Sequence, residues 1–172
     1  MERRFDPAKD QINRRLHGLP LLFGDRIMED PNHLVLPSIR PQDGEERFKA
    51  VGAVEAKLYM AVFTWRGEDP RFISVRRSTR VKKPPIVLPA DPGDPEDFDV
   101  TGEAMDRAQR ARLVRTARTR LGLSQAEFAR RFRVPIGTLR DWEQARSTAP
   151  DFAVAYVRVI MRYPEMVAEA VA

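Results

Sequence analysis

Cysteine is absent from all 172 residues, which excludes a disulfide framework and any thiolate metal site. Histidine is scarce. His17 and His33 are too few and too isolated for a metal cluster, and no Gly-rich phosphate loop or Ser/His/Asp arrangement accompanies them. The chain is therefore expected to use no metal and no cofactor. Nothing approaches the roughly 18 apolar residues of a membrane span, and the opening Met-Glu-Arg-Arg-Phe-Asp has no apolar stretch of the secretory kind. A cytoplasmic protein with no membrane partner is the expectation. What remains, 42% hydrophobic and 32% charged, is the composition of a globular chain rather than a disordered one.

The net charge of +5 is unevenly spread, and the distribution says more than the total. Residues 107–149 hold 11 basic and 3 acidic side chains, a net of +8. Residues 81–106 hold 2 basic and 7 acidic, a net of −5. One block thus carries more positive charge than the whole chain, and an acidic segment precedes it.

Between Lys82 and Asp97 stand Pro84, Pro85, Pro89, Pro92 and Pro95. Proline fixes φ and removes a backbone donor, so this stretch reads as an extended linker, residues 81–106, between two domains. Upstream, residues 1–80 read as an α+β domain. Asp6 and Pro7 form a helix start and Gly18 an end, with Ile12 and Leu16 on one face; Leu21 to Ile27 suggest a second short helix. His33–Leu36, Arg47–Val54, Lys57–Trp65 and Arg71–Val75 then read as strands of an antiparallel sheet joined by short connections such as Glu55-Ala56. Two helices on a four-stranded antiparallel sheet is the expected fold.

Residues 107–172 read as all-α. Ala111, Val114, Ala117 and Leu121 recur at helical spacing before Gly122. Ser124 caps a second helix with Phe128, Ala129 and Phe132, and Pro135 opens a third. Phe128, Val134, Leu139 and Trp142 form an inner face, with Ala129 small enough for close packing. Pro135, Ile136, Gly137, Thr138, Arg140 and Asp141 are left at the start and outer side of the third helix, where side chains meet base edges in a major groove. Gln125, at a helix N-terminus, is placed to bond a backbone phosphate. The run Leu-Ser-Gln (123–125), Phe-Ala (128–129), Val134, Thr-Leu (138–139) and Trp-Glu (142–143) resembles the helix-turn-helix of the xenobiotic-response-element (XRE) family, related to the lambda and Cro repressors. The resemblance implies a double-stranded DNA operator as partner. A homodimer is expected, because one such motif reads only a half-site, and the apolar helices after Pro150, with Phe152, Val154, Val157 and Ile160, are its expected surface.

In the N-terminal half, arginines gather at strand and helix ends: Arg14, Arg15, Arg47, Arg76, Arg77 and Arg80. Such a rim suits an RNA backbone, although an ordinary solvated rim has the same composition. Phe5-Asp-Pro-Ala-Lys9, Asn13 with Leu-His-Gly (16–18), Asp30-Pro31, Glu46-Arg-Phe48 with Gly52, and Phe72-Ile-Ser-Val-Arg-Arg-Ser78 resemble the BrnT toxins, small relatives of the RelE ribonucleases. That resemblance implies cutting of RNA, ribosome-associated mRNA included, by a basic cluster, with His17, Arg47, Arg76 and Arg77 as the catalytic candidates. Only His17 has an ordinary pKa suited to proton transfer near neutrality. The toxin pattern continues past its last strand into a helix, whereas here Arg80 runs into Val-Lys-Lys-Pro-Pro, which forbids one.

Such toxins are normally encoded beside an antitoxin that binds them and represses the shared promoter. BrnA antitoxins more often use a ribbon-helix-helix, so a helix-turn-helix is a variant pairing. The reading is a fused toxin–antitoxin protein, a DNA-binding autorepressor whose ribonuclease domain is masked or attenuated. The acidic linker is expected to cover the toxin face, with Ile86, Val87 and Leu88 added as an edge strand beside Arg71–Val75. A plain transcriptional regulator with a non-catalytic N-terminal module is the alternative, and a free ribonuclease regulated by its own tail a third reading.

Overall fold

The computed structural model describes residues 5–38, 44–78 and 90–172, which fall into two compact units, Met1–Met105 and Asp106–Ala172. In the first unit, α1 (Pro7–His17) starts where the Asp6 carboxylate accepts the N–H groups of Ala8 and Lys9, and ends at Gly18 with φ 70°. After α2 (Phe23–Met28) come β1 (Leu34–Pro37), β2 (Phe48–Val54), β3 (Lys57–Arg66) and β4 (Asp69–Arg77), all antiparallel in the order β1-β2-β3-β4. Glu55 and Ala56 close the β2–β3 hairpin with φ of 50° and 61°. That two-residue geometry favours Asn-Gly, so both residues sit in backbone that costs them energy.

The pairing register sorts the two faces of the sheet. Leu36, Lys49, Val62 and Ser74 lie in one row and Val51, Met60 and Arg76 in the next, all on one face. The opposite face carries Ala50, Ala61 and Val75, with Phe48, Phe63 and Phe72 beyond them. Helices α1 and α2 cover that second face. The Phe72 ring fills the space beside Gly24, where an added Cβ would lie 2.3 Å away. Helix α1 turns Asn13 inward, not its apolar pair: Ile12 and Leu16 are 52% and 58% exposed. The Asn13 amide bonds both the N–H and the C=O of Val75, and Phe5 bridges to Phe72 in parallel.

The outer edge of β4 is therefore occupied by the chain's own N-terminal segment. An added strand beside Arg71–Val75 is the expectation for Ile86, Val87 and Leu88. That trio and Arg80 lie outside the described residues.

The segment read as a linker is, from Ala90 onward, part of the first unit, and Phe98 and Val100 are fully buried. Prolines here start turns. Asp94 N–H bonds the Asp91 carbonyl and Asp97 N–H the Asp94 carbonyl, while the side chains of Asp91 and Asp94 accept the N–H groups of Gly93 and Glu96. Each Asp-Pro pair thus opens one tight turn, aspartate bonding forward and proline fixing φ behind it.

Helix α3 (Gly102–Arg120) begins five residues before the expected Arg107, because Thr101 accepts the Ala104 N–H on its hydroxyl and the Met105 N–H on its carbonyl. Then follow α4 (Gln125–Arg131), α5 (Ile136–Glu143), α6 (Asp151–Arg162) and α7 (Pro164–Ala170). Ser124 and Glu127 form a reciprocal capping box on α4. The core of the second unit gathers Phe128, Phe132, Leu139, Val157 and Ile160 around Val114. Val154, Val157 and Ile160, expected on a dimer surface, are spent in this core because α6 needs them to close over α4 and α5. Among the described residues no helix is long and apolar enough to cross a membrane.

Candidate nucleic-acid interfaces

The sheet face opposite α1 and α2 is cationic by its register: Lys49 and Arg76 project from it, and Arg47 stands just before β2. Each of these cations meets a carboxylate from Asp91–Asp97. Arg76 grips Asp91 and Asp97 through its two terminal nitrogens and has Nε 3.4 Å from Asp94. Lys49 Nζ lies 2.5 Å from Asp97 with both side chains fully buried; it also donates to the Phe98 carbonyl at 2.6 Å and sits 4.9 Å from the Phe98 ring centre. Arg47 and Lys9 each reach Glu96 at 2.7 Å, and the Ser74 hydroxyl donates to Asp94 at 2.6 Å. The repeat Asp91-Pro-Gly-Asp94-Pro-Glu-Asp97 brings three aspartates to one side at a spacing of three residues, one per turn, so a single arginine meets all three.

Burial works against these carboxylates, yet their partners win. Burial alone raises Asp97, but the Lys49 ammonium and the N–H groups of Asp91 and Phe98 outweigh it and hold the carboxyl below its ordinary value. Glu96 behaves alike, with Lys9 and Arg47 overcoming burial.

Of the four catalytic candidates, Arg47 and Arg76 share this face. His17, at the last turn of α1, has Nε2 4.0 Å from the Asp94 carboxylate. Arg77, next to Arg76 on the strand, is exposed and shares the side of Tyr59, on which the Phe23 ring of α2 packs. Lys49 and Ser74 belong to the face but were not singled out from the sequence. The signal for both was parity: Lys49 stands two residues from Arg47, and Ser74 two from Arg76. Among the described residues no group of three or more His, Asp or Glu is placed to hold a metal ion.

The second surface lies on α4 and α5. Glu143, the last residue of α5, is buried and takes a two-pronged bond from Arg118 of α3 at 2.7 and 3.0 Å. Gln125, expected at a phosphate, donates its amide to the same carboxylate at 2.8 Å. Three helices are thus fastened at one buried oxygen pair. Arg133 makes the α4–α5 turn with φ 52°. Pro135 and Gly137 are exposed, Ile136 is 39% exposed, and Thr138, Arg140 and Asp141 are half-buried. Leu139, between them, is fully buried, so the helix keeps one inner and one outer side.

Comparison with known proteins agrees with both halves. Residues 5–81 match the family model for the ribonuclease toxin BrnT of type II toxin–antitoxin systems, and residues 114–159 match a helix-turn-helix model. Among solved structures, an XRE-family-like helix-turn-helix protein from Agrobacterium tumefaciens is 43% identical over 35% of this chain and 97% of that chain, with a TM-score of 0.34. No curated protein matches the chain. The Asp91–Phe98 segment falls outside both matched regions. The chain joins a BrnT-type toxin domain to a helix-turn-helix domain.

Proposed function

We propose that this protein is a fused toxin–antitoxin regulator: a DNA-binding autorepressor that keeps its own ribonuclease-type domain closed with the Asp91–Phe98 segment. One observation carries the reading. The cations on one face of the toxin sheet are paired with carboxylates from a single segment that the toxin family model does not include. Phosphodiester oxygens and carboxylates compete for the same donors, so this cover and an RNA backbone exclude each other.

In the open domain, RNA would lie along Arg47, Lys49 and Arg76. Attack of the ribose 2′-OH on phosphorus forms the 2′-O–P bond and breaks the bond to the 5′-oxygen, leaving a 2′,3′-cyclic phosphate and a 5′-OH. His17 is the candidate for moving a proton in that step, and the guanidinium of Arg76 for stabilising the phosphorane. Arg77, on the other side of the sheet, has no part in this scheme. On DNA, Pro135, Ile136, Thr138, Arg140 and Asp141 form the reading surface, and Gln125 sits at the phosphate-facing end of α4. A dimer reads the two halves of the operator in the cytoplasm.

A second reading has its own support. Arg76 is only 8% exposed and Lys49 is fully buried, so the domain is also suited to a purely structural role in a plain regulator. Growth of an expressing host separates the two. The intact chain is expected to be tolerated and to repress a reporter under its own promoter. Replacing Asp91, Asp94 and Asp97 together by Asn should arrest growth, and adding Arg76→Ala should relieve the arrest. Tolerance of the triple variant, with circular dichroism showing it still folded, favours the plain regulator, and loss of repression by the intact chain defeats both readings.

A further inference from the structure

Arg77 is the one catalytic candidate that the closed face does not use. The pairing register sets Gly52, Tyr59 and Arg77 in one row on the side of the sheet opposite Lys49 and Arg76. Helix α2 comes down onto this row at Gly52, where an added Cβ would lie 2.8 Å from the Ile27 carbonyl oxygen. Its Phe23 ring then rests on Tyr59, with ring centres 4.7 Å apart and planes inclined by 54°. The cover stops there: Phe23 and Tyr59 are half-buried, and Arg77 at the end of the row is exposed.

The cations around the two rings are not equally free. The Arg26 guanidinium lies 5.4 Å from the Phe23 ring centre, but it is bonded to Glu55 at 2.8 Å and braces the ring. Lys57, two residues before Tyr59 on β3, shares its side of the strand and is exposed. Among the described residues no carboxylate forms a salt bridge with Lys57 or Arg77. A ring flanked by an ammonium and a guanidinium offers one stacking surface between two anion contacts. Single-stranded nucleic acid has that pattern, a planar base with a phosphate on either side. An acidic peptide brings charges but no base for the rings, and a duplex keeps its base faces inside the stack.

We propose that Phe23, Lys57, Tyr59 and Arg77 form a seat for single-stranded RNA, with one unstacked base on the Tyr59 ring and its phosphates on Lys57 and Arg77. This seat deepens the reading of the domain as one that acts on RNA, and rests on it. RNA is chosen over single-stranded DNA because residues 5–81 match a ribonuclease toxin. The Asp91–Phe98 segment pairs with Lys49 and Arg76 on the other side of the sheet, so the seat is open while the cleaving face is closed. The intact chain therefore holds RNA that it does not cut.

Fluorescence anisotropy of a short labelled oligouridylate, titrated with the full chain in excess duplex DNA that occupies the helix-turn-helix unit, tests this. The intact chain should bind. Tyr59→Leu, which keeps an apolar body beside Phe23, should weaken binding at least about fivefold. Arg77→Ala should weaken it too and reduce the slope of log affinity against log salt by about 0.7, whereas Arg77→Lys should keep the slope. Thermal melting should be unchanged in both Arg77 variants, because that side chain is exposed. Ultraviolet crosslinking of a thiouridine-substituted strand should mark Tyr59 or Phe23. Affinity indifferent to both Tyr59→Leu and Arg77→Ala, or crosslinks confined to Asp106–Ala172, overturns the seat. Sensitivity to Arg77→Ala alone overturns the stacking and points to an acidic protein as the partner. Tighter binding of an oligodeoxythymidylate of equal length overturns the choice of RNA. If the intact chain fails to bind while the chain with Asp91, Asp94 and Asp97 replaced by Asn cuts RNA, the seat falls and the ribonuclease reading stands. Failure of the intact chain to bind and of the substituted chain to cut defeats the two together.

Discussion

The two surfaces suited to phosphate are finished in opposite ways. On the toxin sheet, Arg47, Lys49 and Arg76 are met by Glu96, Asp97, Asp91 and Asp94, and the innermost of these pairs is out of contact with water. In the helix-turn-helix unit, the acid that matters, Glu143, is buried behind the surface, where it fastens Arg118 and Gln125. Acidic residues close the first surface and brace the second. The comparison teaches that a cation's meaning depends on where its counter-charge sits: in front of it as a competitor with nucleic acid, or behind it as a frame.

The largest effect should come from breaking the buried pair. Asp97→Ala leaves the Lys49 ammonium buried without a carboxylate, and stability of the first unit should fall by about 3–5 kcal/mol in denaturant unfolding. Lys49→Met combined with Asp97→Leu should recover most of that loss, since a well-packed apolar replacement removes both desolvated charges. If the single and double changes are equally costly, the pair is not the fastening point.

Acid should separate the units next. Asp97 and Glu96 are held below their ordinary values of 3.8 and 4.5. Their contribution is therefore complete above those values and is lost as pH falls through the lower folded ones. Glu127, also lowered by its Ser124 cap, is fully exposed, and its titration should matter little. Thermal melting followed below pH 4.5 should show the first unit losing stability faster than the second, and Asp97→Asn should reduce that difference.

Changes on the open surface should be smaller and confined to binding. Arg140→Ala and Thr138→Ala are each expected to weaken operator binding by about 1–3 kcal/mol. Gln125→Ala should weaken specific and non-specific duplex alike and, unlike the other two, also lower the melting temperature of the second unit, because it removes a bond to the buried Glu143. Titration by fluorescence anisotropy at several salt concentrations measures both, and absence of any salt-dependent duplex binding would contradict the DNA-binding role. Smallest are two backbone changes. An added Cβ at Gly137 meets open space, so Gly137→Ala should stabilise α5 by up to about 1 kcal/mol, and Ala56→Gly should relieve the hairpin turn by a similar amount.

How much of this was legible depended on how local the signals are. Asp6-Pro7 with Gly18, and Ser124 with Glu127, act within a few residues, and both helices form where those residues place them. The helix-turn-helix is contiguous from Leu123 to Glu143, so its inner and outer sides could be read from spacing alone. Adjacent Arg76 and Arg77 were taken together, although strand alternation sends them to opposite faces. Ile12 and Leu16 carried the helical period of α1, yet Asn13 is what α1 turns inward, because the β4 edge needs an amide. Proline suggested an extended linker, whereas the Asp-Pro repeat forms turns. The partners of those turns were beyond local reading, since Lys49 and Phe98 are 49 residues apart.

The central claim is that the chain's own acids close the toxin face, and cleavage of single-stranded RNA by the purified full-length protein tests it most directly. The intact chain should cut slowly or not at all. The chain with Asp91, Asp94 and Asp97 replaced by Asn should cut faster, and adding Arg76→Ala should abolish the gain. Equal cleavage by the intact and substituted chains would contradict closure. Silence in both, with the substituted protein still folded, would show that the domain has no chemistry for the acids to mask.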